Sequence, residues 1–360
     1  MFGAIGFTIP ELPGQQVHRD NQQAPKHGSK GGIMIITQSP YRVSFAGGGT
    51  DLPAFYRQEF GAVLSVTINK HMYCTVSPRF DKTIRLAYSK TEIVDTPDKL
   101  EHGIVRKAME LSGLKSHLEI TTIGDVPAGT GMGSSSTLTV GMLQALYAYA
   151  GKIVSRETLG REASAIEIDM LEKPIGKQDQ YAAAFGGLNY IRFNPDDTVD
   201  VEPVPCKKQT LEELESRTLL FYTAQRRDAD SILKKQSEGT ADRMTVLRKM
   251  RDLADQMRHA IAGEGNIDSF AELLHEGWEL KRSLGFGITN PMVDEWYNAA
   301  RKCGAQGGKL LGAGGGGFVL LVAPPEKHEA IREALGRPKE LEFSIDQRGS
   351  RVIFFSERHG

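Results

Sequence analysis

Cysteine is nearly missing. Cys74, Cys206 and Cys303 are the only three in 360 residues. They are odd in number, far apart and without Cys-x-x-Cys spacing, which excludes a disulfide framework or a zinc knuckle and points to a reducing, cytoplasmic setting. An excess of either charge is missing too: 44 Lys and Arg against 45 Asp and Glu leave a formal net charge of −1. The chain therefore lacks the basic surplus of a nucleic-acid or membrane-surface binder, and a small molecule is its expected partner. No apolar run approaches the ~20 residues that cross a bilayer. Met1 to Pro10 has no basic stretch followed by a long apolar core, so no export signal is read there. A Walker A sequence is absent, which sets P-loop ATPases aside.

Glycine, with 39 residues, is plentiful and gathers in clusters. The most informative stretch is Asp125-Val-Pro-Ala-Gly-Thr-Gly-Met-Gly-Ser-Ser-Ser136. Gly129, Gly131 and Gly133 carry no Cβ, so this backbone can adopt positive φ and bring its N–H groups close to an anion. Ser134, Ser135 and Ser136 stand where a helix should begin, and the free N–H groups of a helix start favour negative charge. Leu138, Met142, Leu143 and Leu146 then recur at helical spacing. The stretch reads as a phosphate cradle mounted on a helix with one buried face.

Taken in order, residues 1–32 are polar and glycine-rich after Pro13 and read as a flexible tail; a start at Met34 and an added leader are both compatible with it. Ile33 to Phe45 reads as two strands broken at Ser39-Pro40, Ala62 to Ser77 as a long strand or hairpin, and Thr83 to Tyr88 as a further strand. Helices are expected over Asp98 to Leu111 and Arg156 to Leu171, the latter capped by Ser155. The prolines and aspartates between Pro195 and Pro205 mark a domain boundary. Beyond it come a strand at Arg217 to Thr223, three or four helices over Ala229 to Lys302, a strand at Phe318 to Ala323, a helix over Glu326 to Leu335 and a final hairpin through Arg351 to Phe355. Long runs of each element type mixed with alternation indicate α+β rather than a doubly wound sheet. Length and composition suit two domains, 33–205 and 206–360.

Gly312-x-Gly-x-x-Gly317 matches the dinucleotide fingerprint, yet a strand follows it where the fingerprint needs a helix. Close packing of backbone against another loop or a substrate is the better use of four consecutive glycines. Phosphoryl transfer needs a triphosphate, a divalent cation and an acceptor hydroxyl in line. Mg²⁺ takes hard oxygen ligands, for which Ser135 and Glu167 are candidates, and Asp179 is the candidate base.

Three motifs carry a resemblance: Pro40-x-Arg42 through Gly47-Gly-Gly-Thr-Asp51, Pro127 through Ser136, and Lys309-x-x-Gly312 through Gly317. In order and spacing they resemble the GHMP small-molecule kinases. The resemblance implies a ribosomal S5 domain 2-like N-terminal domain that binds ATP and a ferredoxin-like C-terminal domain, with the site between them. It assigns Pro127, Gly129, Thr130, Gly131, Met132, Gly133, Ser134, Ser135 and Ser136 to ATP, Ser135 and Glu167 to Mg²⁺, and Asp179 with Arg42 to catalysis. It places Gly48, Gly49, Thr50, Asp51, Lys177, Gln178, Arg226, Gly314 and Gly315 on the substrate. Ser136 and Thr137 replace a small apolar residue common in the family, which leaves the metal ligand open among the three serines. Gly47 to Asp51, Gly176 to Gly187 and Leu274 to Lys281 resemble the D-glycero-D-manno-heptose 7-phosphate kinases, which phosphorylate the anomeric hydroxyl on the way to a nucleotide-activated heptose used in polysaccharide biosynthesis. The cations available for a substrate phosphate are Lys177, Arg226, Arg227, Lys281 and Arg282, with Arg226 favoured. A kinase for an unphosphorylated hexose, a non-catalytic sugar and ATP sensor, and a nucleotide-binding oxidoreductase are the alternatives. Monomer and homodimer are both left open.

Overall fold

The computed structural model of the chain describes residues 33–225, 229–240, 243–285 and 287–357. The expected tail over 1–32, and Arg226 and Arg227, lie outside the described residues.

The chain opens with one long strand, β1 (Ile33–Ala46), where the sequence predicts two. Proline at 40 does not break it because the ladder to β2 (Gly61–Pro78) shifts register between Pro40 and Arg42, and the strand on the other side stops pairing at Gln38. The missing N–H therefore costs no ladder bond. A single helical turn, α1 (Pro53–Tyr56), separates the two. β3 (Ile84–Ala87) and β4 (Thr91–Val94) form a hairpin. α2 (Gly103–Ser112) starts later than its apolar spacing predicts, because a 3₁₀ turn at Pro97–Lys99 runs into extended Leu100 first. β5 (Leu118–Gly124) then leads through the glycine-alternating loop into α3 (Ser134–Tyr149).

The sequence predicts one buried face for α3, yet Thr137, Thr139, Val140, Met142, Leu143, Ala145, Leu146 and Tyr147 are all buried, so neighbours cover it nearly all round. α4 (Arg156–Ser164) is capped by Ser155, whose hydroxyl accepts from Thr158 N–H, and passes into a wider π-helical segment, Ala165–Met170. α5 (Gln178–Phe185), β6 (Leu188–Phe193) and β7 (Val199–Pro203) complete this half.

The second half contains α6 (Lys208–Arg217), β8 (Thr218–Tyr222), α7 (Ala229–Glu238), α8 (Met244–Ile261), α9 (Ile267–Ser283), α10 (Pro291–Lys302), β9 (Gly307–Leu310), β10 (Phe318–Val322) and α11 (His328–Ala334). Its sheet runs β8-β10-β9. Residues 339–341 add an irregular fourth strand beside β8, through Tyr222 N–H to Lys339 O (2.8 Å) and Leu341 N–H to Leu220 O (2.9 Å). The order is that of a ferredoxin-like sheet. The last strand, β11 (Arg351–Glu357), is not half of a hairpin. It returns to pair antiparallel with β1, so residues 351–357, placed by sequence in the second half, lie in the first sheet. That sheet has eight strands, ordered β11-β1-β2-β5-β3-β4, with β6 on β2 and β7 on β6.

One apolar cluster joins the halves: Val43 and Phe45 of β1 and Leu64 of β2 pack with Met257 of α8 and Phe270 and Leu274 of α9. Phe45 and Phe270 meet edge to face with ring centroids 5.0 Å apart. Phe270→Ala is expected to lower unfolding free energy by ~3–5 kcal/mol, the usual cost of emptying a buried aromatic site. Denaturant titration checks this, and a loss near zero would show that the halves are not fastened there.

Candidate active site

The floor of the cleft is the loop between β5 and α3. Gly129, Gly131 and Gly133 all have positive φ, near 77°, 79° and 75°. Ser134, Ser135 and Ser136 open α3, and first-turn N–H groups have no intrahelical acceptor, so they point at whatever the loop holds. Pro127 and Thr130 close the turn from beneath, the Thr130 hydroxyl donating to Pro127 O at 2.9 Å. Met132 points into the core, and its carbonyl accepts from Arg42 N–H. These three residues therefore hold the loop's shape. The Gly312 to Gly317 stretch packs on this loop: a Cβ on Gly317 would stand 2.4 Å from Thr130 O, and one on Gly312 would stand 2.5 Å from Gly131 Cα. Packing, not a dinucleotide site, accounts for those glycines.

Asp179 lies in the first turn of α5, facing the loop. Arg42 Nε donates to its Oδ1 at 2.7 Å and Nη2 to Oδ2 at 2.8 Å, while Nη1 donates to Gly131 O at 2.7 Å. One guanidinium thus fixes the carboxylate and the loop together. Withdrawal from water raises the Asp179 carboxyl above its ordinary value, with Arg42 pulling the other way. A Cβ on Gly133 would come within 2.9 Å of Asp179 Oδ2, so glycine is needed for the helix start to approach the carboxylate.

Ser135 and Glu167 meet as the sequence suggests, the hydroxyl donating to Oε1 at 2.5 Å. Glu167 is wholly buried on the π-helical segment. Its other oxygen accepts from Gln180 Nε2 at 2.8 Å. Lys173 Nζ caps the same pair, 2.7 Å from Ser135 Oγ and 3.2 Å from Glu167 Oε1. Two hard oxygens that already attract a cation, at the mouth of a polyphosphate cradle, are a donor set suited to Mg²⁺. Lys173 and Gln180 were not singled out from sequence, because nothing in their spacing marks them.

On the opposite wall, Asp51 is buried and binds backbone, accepting from Gly49 N–H at 2.9 Å and from Gln178 N–H at 3.4 Å. Gly48, Gly49, Gln178 and Gly314 line the cleft with it. Other expected substrate residues point elsewhere. Thr50 is buried and its hydroxyl donates to Gly47 O and Ala62 O. Lys177 is paired with Asp197 and lies over the Tyr56 ring. Gly315 donates its N–H to Ile288 O and is not among the lining residues. Arg282 is bound to Glu279 and Asp294.

Two buried lysines from the second half reach the cleft. Lys281 Nζ donates to Gly312 O at 2.6 Å; burial pushes its pKa down to about 8, opposed by Asp51. Lys309 Nζ donates to Ser44 O (2.8 Å) and Phe45 O (3.0 Å), tying β9 to β1, and burial lowers its pKa well below the usual lysine value. Lys309 opens the third glycine motif, so its position was legible although its task was not.

A cradle, a fixed carboxylate and a two-oxygen cation site in one cleft suit transfer of a phosphoryl group to a hydroxyl. Residues 100–187 match the family described as GHMP kinases N terminal domain, and residues 253–340 match GHMP kinases C terminal. Over 328 residues the chain is 30% identical to the D-glycero-alpha-D-manno-heptose 7-phosphate kinase of Campylobacter jejuni, with 86% of this chain and 96% of that protein covered. The chain belongs to the GHMP kinases. It is a phosphotransferase acting on a sugar hydroxyl. A crystal structure described as a D-glycero-D-manno-heptose 1-phosphate kinase from Bacteroides thetaiotaomicron superposes with a TM-score of 0.74 at 29% identity, covering 88% of this chain and 98% of that one. Lactococcus lactis galactokinase complexed with galactose superposes with a TM-score of 0.73 at 19% identity, covering 89% and 95%, which speaks for the fold alone. No described helix of this GHMP kinase is long and apolar enough to cross a membrane.

Proposed function

We propose that this GHMP kinase transfers a phosphoryl group from ATP to the anomeric hydroxyl of D-glycero-D-manno-heptose 7-phosphate, giving the 1,7-bisphosphate in the cytoplasmic supply of activated heptose. The observation that carries the choice of sugar is the 30% identity to a heptose 7-phosphate kinase over nearly its whole length. In this reading the Gly129 to Ser136 loop and the start of α3 receive the polyphosphate. Ser135 and Glu167 hold Mg²⁺, which when bound would offset charge between the phosphates. Asp179 accepts the proton of the anomeric hydroxyl, and Arg42 keeps its carboxylate aimed there. Lys281 supplies a buried positive charge beside Asp51 for the acceptor's phosphate, with two N–H donors left after its bond to Gly312 O. Arg226, the residue favoured from sequence, remains a second candidate for that phosphate.

The test is turnover with ATP and Mg²⁺ on D-glycero-D-manno-heptose 7-phosphate beside sedoheptulose 7-phosphate, mannose, fucose, galactose and mevalonate. Activity on the heptose phosphate alone is expected, and activity on a free hexose instead would discard the substrate. Lys281 also gives a pH signature. It is charged below about 8 and neutral above, so acceptor affinity should fall as pH rises through that value. Lys281→Met should bind the acceptor weakly and lose this pH dependence. A KM for the acceptor that stays flat past that pH in the wild type would remove Lys281 from the phosphate site.

A further inference from the structure

Three buried polar atoms in the cleft have no hydrogen-bond partner among the described residues: Ser44 Oγ, Gln178 Oε1 and Gln236 Nε2. All three side chains line the cleft. They also converge on one short turn. A Cβ built on Gly48 would stand 3.7 Å from Gln178 Nε2 and 3.9 Å from Ser44 Oγ, and one built on Gly49 would stand 2.1 Å from Gln236 Nε2. The Gln236 amide thus lies where any side chain at 49 would be, and Gly49, at φ 107°, is the residue that admits it. Gln236 is only 3% exposed and comes from α7, in the other half of the molecule from Ser44 and Gln178.

Burying polar atoms without partners is costly, so such atoms facing a cleft indicate a ligand that satisfies them. Their types narrow its chemistry. Gln236 Nε2 can only donate, Gln178 Oε1 can only accept, and Ser44 Oγ does both. A phosphate oxygen accepts alone and would leave Gln178 unmet, and an apolar group would leave all three unmet. Hydroxyl groups both donate and accept. We propose that Ser44, Gln178 and Gln236 form a hydroxyl-reading subsite for adjacent OH groups of the acceptor, and that Gln236, supplied by α7, sets which sugar is admitted. This rests on reading the cleft as that of a sugar kinase. It does not depend on the sugar being a heptose phosphate.

The experiment is calorimetric titration of the full chain, separately with D-glycero-D-manno-heptose 7-phosphate, mannose, fucose, galactose and ATP, for the wild type and Gln236→Leu. Any sugar that binds the wild type serves as the probe. The variant should bind that sugar about 10- to 100-fold more weakly, as when a buried donor to a substrate hydroxyl is lost. Its ATP affinity should stay within about twofold, because the phosphate loop is a separate site. Gln236→Glu keeps the size and removes the donor, so it carries the same test if the leucine variant does not fold. Wild-type sugar affinity in a folded variant, or an equal loss of ATP affinity, would overturn the proposal. Binding of a hexose but not of the heptose phosphate would reject the substrate named above while leaving this subsite open to the same comparison. Silence of the wild type toward all four sugars would overturn both.

Discussion

Asp179→Asn lowers turnover by about 10²- to 10⁴-fold while ATP binds nearly as in the wild type, the usual loss for a positioned acid or base. The size follows from the geometry. Asparagine keeps the shape and one oxygen, but it cannot take a proton from a hydroxyl and it gives up half of the two-point clasp by Arg42. ATP affinity should hold because the loop N–H groups and the start of α3 do not pass through Asp179. Steady-state kinetics with ATP titrated separately would check this, and wild-type turnover would remove Asp179 from the reaction. The acid side of the pH profile gives a second reading. The raised carboxyl of Asp179 is the active anion only above its pKa, so rate should fall as pH drops through it in the wild type and stay flat in Asp179→Asn.

Replacing Glu167 by Gln should raise the Mg²⁺ concentration for half-maximal activity by about 10- to 100-fold, the cost typical of disturbing a metal site. Glu167 is wholly buried, and its two oxygens are already committed to Ser135, Lys173 and Gln180. A neutral amide there takes the anionic ligand from the metal and leaves the Lys173 ammonium without its counter-charge. Ser135→Ala should act in the same direction but less, since a hydroxyl is a neutral ligand. Mn²⁺ binding followed by electron paramagnetic resonance, with ATP present and turnover blocked by omitting the sugar, separates metal affinity from activity. An unchanged Mn²⁺ affinity in Glu167→Gln would show that the buried carboxylate serves only the fold.

The amino-acid sequence by itself determined what depends on neighbours along the chain. The three glycines that take positive φ before α3, the Ser155 cap and the strand after Gly317 that disqualifies the dinucleotide fingerprint all act within a few residues, where composition and spacing are decisive. Arg42 and Ser135 lie in the motifs, Glu167 and Asp179 are named beside them as metal ligand and base, and the structure brings all four into one cleft. Tertiary structure alone decided what arrives from far away. Glu167, on the π-helical segment, meets Lys173 and Gln180, and Gln236 of α7 sits against Gly49 although 186 positions separate them in the chain. It also turned Lys177 toward Asp197 and carried β11 back to β1. The reason is physical: spacing reports which face a residue occupies on its own element, while the partner waiting at that face depends on how distant elements pack.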